Sequence, residues 1–166
     1  MRINNVILKG IKRQLDHEGF DYIYTSNIYI GSKKVGTYCE DFMCGEPTIE
    51  VDDKYKEELK DIAKKFFDKY PKGFLDGKYS FSVKDLYAND LIDGLCTQLA
   101  EMDIYEKEAK KCFKKGYSYF VVSSEKGKNR ESYWFIMSKE ALEHHKKEHD
   151  IYFIAEKDKN SFDFVV

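Results

Sequence analysis

The sequence predicts an α+β fold with a mainly antiparallel sheet, and three observations carry that prediction. Strand-like runs stand between helix-like runs without the regular alternation of βαβ units. The apolar period changes from three- and four-residue spacing to alternation after residue 19, and back again after residue 52. Turn residues such as Gly31 and Gly116 fall at the joins between these runs. At 166 residues the chain has room for one domain or two small ones. The element order reads as an N-terminal α-β-β-β-α unit over 1–70, then α-α-β-β-α-β(-β) over 82–166. That is either two subdomains, the second a helical hairpin plus a small antiparallel sheet, or one continuous domain.

Ile7, Leu8, Ile11 and Leu15 recur at helical spacing, which predicts an amphipathic helix over 4–18 closed by Gly19. Residues 22–30 are rich in β-branched and aromatic side chains and read as a strand, with Ile28 and Ile30 on one face and Tyr29 on the other. The turn at Gly31-Ser32-Lys33-Lys34 leads to a return strand over 35–39. An acidic loop over 40–46 follows, then a short strand at 47–51 that Pro47 can open. Asp52 or Asp53 caps the next helix, whose buried face takes Tyr55, Leu59, Ile62, Ala63, Phe66 and Tyr70 before Pro71 and Gly73 end it. Ser82 with Asp85 forms an acidic capping box for a helix through Met102. Asp103 with Glu106 repeats the pattern, predicting a break there and a second helix to Lys115. Strands over 117–123 and 132–137 flank a polar loop at 125–130. Ser138 then caps a helix to Lys147, followed by a strand at 151–155 and an edge strand at 162–166.

Charge excludes some functions. Lys+Arg number 28 and Asp+Glu 30, a formal −2, so neither a basic duplex-wrapping surface nor a polyanionic DNA mimic is expected. Only Arg2, Arg13 and Arg130 are arginine, which argues against dense bidentate reading of phosphate or guanine. The 13 Tyr and 12 Phe are the opposite bias: tyrosine joins an apolar body to a polar tip and serves both sheets and interfaces. The first ten residues hold only three consecutive apolar ones before Lys9, neither a signal-peptide core nor a membrane span, so a soluble, cytoplasmic protein is expected. Cysteines at 39, 44, 96 and 112 show no zinc-like spacing and read as free, mostly buried thiols.

Candidate chemistry is sparse. His145 and His149 share a helical face, a spacing that can hold a metal. A metalloprotease of the His-Glu-x-x-His type needs its glutamate beside the first histidine, so the pattern alone assigns no metal and no cofactor. Acidic residues around Asp41 and Asp52-Asp53-Lys54 resemble the acid and acid-x-Lys elements of Mg²⁺-dependent nucleases of the restriction-endonuclease fold. The α-β-β-β-α order resembles a double-stranded RNA-binding domain, which implies nucleic-acid binding. The lysine cluster of that family, however, is replaced here by Asp52-Asp53. No nucleotide-binding glycine loop or nucleophile elbow occurs, so a non-catalytic role is favoured.

Residues 27–48, with the Gly31-Ser32-Lys33-Lys34-Val35-Gly36 turn between two strands and an acidic, Gly45-containing loop, resemble an element of small accessory proteins of bacteriophages and mobile elements. That resemblance implies an inhibitor of a host defence system, anti-CRISPR-like, acting in the host cytoplasm by covering a site on a host protein. Large aromatic anchors suit such a covering surface. The expected partner-binding residues are Tyr29, Lys33, Lys34, Asp41, Phe42 and Trp134.

Overall fold

The computed structural model describes residues 1–15, 22–41, 48–75, 82–125, 128–137, 139–157 and 159–166. The α+β class with mainly antiparallel pairing holds. The elements are β1 (Arg2–Ile3), β2 (Val6–Leu15), β3 (Tyr22–Ile30), β4 (Lys33–Asp41), β5 (Thr48–Val51), α1 (Asp53–Lys69), α2 (Val83–Leu86) and α3 (Leu91–Lys114). They continue with β6 (Ser118–Glu125), β7 (Lys128–Met137), α4 (Lys139–Glu148), β8 (Ile151–Ala155) and β9 (Asp163–Phe164). Six strands form one sheet in the order β5-β4-β3-β2-β1-β9, antiparallel except for the β1–β9 pair. Three form a second sheet, β7-β6-β8.

The expected helix is absent over the described part of 4–18: β1 precedes it and β2 takes residues 6–15, while 16–18 lie outside the described residues, so the N-terminal unit begins with strands rather than α-β-β-β-α. Asn4 and Asn5 form the tight connection between Ile3 and Val6, and Asn4 takes a positive φ of 51°, a conformation asparagine tolerates well. A β-bulge explains the helical spacing. Against β3 the register jumps between Lys9 and Lys12, and Gly10 sits at φ +68°. Before the bulge the even residues Val6 and Leu8 face the core; after it the odd residues Ile11 and Arg13 do. An alternating strand with one extra residue therefore imitates a three-and-four spacing.

The helical region is also cut differently. Ser82 does cap a helix, its hydroxyl accepting from the Asp85 N–H at 3.1 Å, but α2 lasts only four residues. Asp90 then caps α3, accepting from Asp93 N–H at 3.1 Å, and α3 runs unbroken past Asp103 to Lys114. Asp103 is a buried residue in mid-helix instead of a cap. The 125–130 loop is shorter than expected, since β6 extends to Glu125 and β7 starts at Lys128.

α3 is the spine of the molecule. It packs against α1, β2 and β6, and its Leu95, Leu99 and Met102 are fully buried. One hydrophobic core joins Ile3, Val6 and Ile28 of the large sheet, Leu59 and Phe66 of α1, and Tyr119, Val121 and Ala155 of the small sheet. Burial of this size is the main stabilising term for a chain of this length. No described helix is long and apolar enough to cross a membrane.

Candidate partner-binding surface and a buried polar seam

The large sheet has two unlike faces. Its inner face carries Ile28, Val35 and Tyr38 against the helices. Its outer face carries Ile7, Lys9 and Lys12 from β2, Thr25, Asn27 and Tyr29 from β3, and Thr37 and Cys39 from β4, none of which is buried. An antiparallel sheet covered on one side only is expected to show this apolar-in, polar-out alternation. Tyr29 is half-buried on the outer face, and Lys9 Nζ stands 4.4 Å from the centre of its ring.

The expected contact residues separate over this frame. Tyr29 pairs across the ladder with Lys34, so these two adjoin. A register shift between Ile28 and Tyr29 sets Lys33 opposite Ile30, and its ammonium reaches the α1 side, 5.2 Å from the Tyr55 ring centre. The Tyr55 hydroxyl, and Asp52 more weakly, hold the Lys33 pKa above its ordinary value. Asp41 ends β4 opposite Ile23. Trp134 lies on β7, paired with Val121 of β6, in the other sheet. Phe42 lies outside the described residues, as does Cys44.

Strand β5 ends the large sheet, and among the described residues no strand pairs with its outer side. Gly36 lies beneath it: a Cβ there would run into the Glu50 carbonyl and approach Val51 Cα to 3.1 Å, so β4 and β5 sit this close only because residue 36 is glycine. Two hollows flank β5, one of about 540 Å³ lined by Lys34, Thr37, Ile49 and Asp52. The other, of about 450 Å³, is lined by Val51, Lys60, Asn89 and Ile92.

Beneath the inner face runs a polar seam that sequence reasoning missed. The Tyr38 hydroxyl donates to the Glu40 carboxylate, and Thr97 Oγ1 lies 3.1 Å from the Tyr38 oxygen and 3.3 Å from Asp93 Oδ1. Burial raises the Glu40 pKa, the Tyr38 hydrogen bond opposes that rise, and Glu101 adds to it. Burial and the Glu40 charge both push the Tyr38 phenol up. At the other end Arg13 donates to Asp103 at 3.1 Å, with Lys107 at 2.6 Å from the same oxygen, and the Arg13 guanidinium lies 5.2 Å from the Tyr24 ring centre. The Asp103 side chain is only 9% exposed, so these cations offset a charge that burial would otherwise make costly. The available signal was Asp103 itself, four residues after Leu99 on the buried stripe of α3.

The acid-x-Lys element does not form as a nuclease needs it. Asp52 precedes α1 and Lys54 belongs to the first turn of that helix, so the triplet is not carried on a strand. The double-stranded RNA-binding order likewise has β2 in place of the described part of its first helix. No known protein family matches the chain, and neither a curated protein nor a solved structure matches it.

Proposed function

We propose that the chain is a non-catalytic protein-interaction module that covers a site on a partner protein with the outer face of its larger sheet and the β5 edge. The observation that supports this reading best is the outer face itself, which no described element packs over and where Tyr29 is flanked by Lys9 and Lys34. A half-buried tyrosine framed by lysine stems offers rigid contact area at low entropic cost, as interface anchors do. The open edge of β5 adds a row of backbone donors and acceptors that a partner strand can take up. The resemblance of residues 27–48 to phage and mobile-element accessory proteins directs the proposal to a host protein. A nucleoprotein defence complex is among the candidates, met in the bacterial cytoplasm as by an anti-CRISPR.

A second reading, nucleic-acid binding, draws on the lysine–tyrosine pairs Lys9–Tyr29, Lys33–Tyr55 and Lys54–Tyr55. One experiment separates the two. The tagged chain and its Tyr29→Ala variant are used to capture partners from host lysate, with and without nuclease. A stoichiometric protein that survives nuclease and is lost, or held at least about tenfold more weakly, by Tyr29→Ala is the expected result, since truncating a central aromatic anchor costs about 2 kcal/mol or more. Capture that disappears on nuclease treatment assigns the surface to nucleic acid. A protein partner unaffected by Tyr29→Ala moves the interface off this face.

A further inference from the structure

At the C-terminal end of α4 three ligating side chains converge that the function above does not use, His149 being the first residue past the helix. His145, Glu148 and His149 each present one ligand atom, and these atoms all lie within 4.8 Å of one another. Among the described residues this is the one such group. Helical periodicity creates the arrangement: i, i+3 and i+4 share a face one turn apart. The two imidazoles lie side by side, ring centres 5.4 Å apart and planes 26° from parallel. His144 stands edge-on to His145 and 3.7 Å from the Glu148 carboxylate. His145 and His149 are partly shielded while Glu148 is exposed, so a cation would meet two partly desolvated imidazoles and one solvated carboxylate.

The end of the helix borders open space at His149. α4 ends at Glu148, and the chain turns straight into β8, leaving His149 on the rim of a hollow of about 510 Å³. Asp150, Tyr152 and Phe153 also line it. Of the three side chains His149 alone lines it, and Lys146 stands at the same rim. Two imidazoles and a carboxylate, with water in the fourth place, are a donor set of the kind that binds zinc. Calcium and magnesium require mainly oxygen ligands. The order His-x-x-Glu-His also occurs in zinc hydrolases in which the glutamate is the base and a further element supplies a ligand. Among the described residues no further element joins this group, so Glu148 takes the ligand role.

We infer that His145, Glu148 and His149 form a binding site for one zinc ion at the C-terminal end of α4. The inference is independent of the partner-binding reading, because it involves neither the large sheet nor β5.

The test is calorimetric titration of the chelator-treated protein with zinc chloride, beside cobalt(II) absorption spectroscopy. One equivalent of zinc should bind. His145→Ala and His149→Ala should each weaken binding at least about tenfold, as loss of even an outer-sphere partner does at zinc sites. Glu148→Gln should weaken it measurably, and His144→Ala, which removes only a neighbour of Glu148 and His145, should weaken it clearly less than His145→Ala does. Cobalt should give a tetrahedral visible spectrum without a thiolate charge-transfer band. This readout on the wild-type protein does not depend on any variant folding. The inference is overturned by absence of zinc binding to the wild type, by His144→Ala weakening binding as much as His145→Ala, or by a thiolate band placing the metal on cysteine.

Discussion

At Tyr38 and Glu40 a phenol and a carboxylate are removed together from water between β4 and α3. Burial raises the Glu40 pKa, so the folded protein retains that proton at pH values where the unfolded chain has released it. Between the two pKa values the native state binds more protons. Its stability therefore declines as pH rises through that window and levels off above the folded pKa; below the unfolded value the penalty is absent. Glu40→Gln retains an oxygen to accept from Tyr38 and removes the ionisation. The variant should gain stability relative to wild type on going from about pH 4 to about pH 7, the unfolded glutamate titrating at about 4.3. Urea unfolding of both proteins at the two pH values reads this directly. A wild-type-to-variant difference that does not change with pH would show that Glu40 titrates alike in both states. None of this was legible beforehand, because Glu40 read as the first residue of a loop, and Thr97, which meets the same Tyr38 hydroxyl, is distant in sequence.

Strands and helices were legible wherever an unbroken period reached the register. The alternation of Ile28, Tyr29 and Ile30 placed β3 and put Tyr29 on the face opposite Ile28 and Ile30, as the pairing shows, and α1 showed its apolar stripe plainly. Two local devices concealed the rest. The bulge at Gly10 inverts which residues of β2 face the core, and a single residue of phase shift makes a strand resemble a helix. In α3 the capping-box pattern at Asp103 and Glu106 is coincidental, since Asp103 answers to Arg13 of β2 and Glu106 to the terminal ammonium, neither of which is near in sequence. Edge strand β5 depends on another such device, Gly36. Gly36→Val would drive a branched side chain into the Glu50 carbonyl and should unseat β5 from β4. A loss of about 1–3 kcal/mol is expected, the range for overpacking a tight site. Hydrogen exchange should localise the damage, with amides of β5 and the facing part of β4 losing protection while those of β2 and β3 retain theirs. Full protection of β5 in the variant would mean that the strand is held by other contacts.

For the molecule as a whole the question is whether the two sheets unfold together. β9 comes from the end of the chain but pairs with β1, Ile3 standing opposite Phe164, and Asn4 exchanges two hydrogen bonds with Val166 at 2.8 and 3.2 Å. The Phe164 ring lies 5.9 Å from Phe66, 5.2 Å from Tyr70 and 6.3 Å from Phe74, edge-on to each. Phe74 in turn lies 5.9 Å from Phe153 of β8, and its N–H donates to the buried Gln98 side chain of α3. Aromatic packing thus runs from the large sheet to the small one through a residue that sits on neither. If this makes one cooperative unit, Phe164→Ala should cost about 2–3 kcal/mol, below the full Phe→Ala range because the ring is half-buried. The melting temperature should then fall by about 5–10 °C. The sole tryptophan, Trp134 on β7, provides a probe in the opposite sheet. Its fluorescence and the far-ultraviolet circular dichroism should shift together and by the same amount, as a two-state transition requires. A tryptophan transition that stays at the wild-type temperature while the circular dichroism moves would show that β6, β7 and β8 fold as a separate unit from the sheet that Phe164 closes.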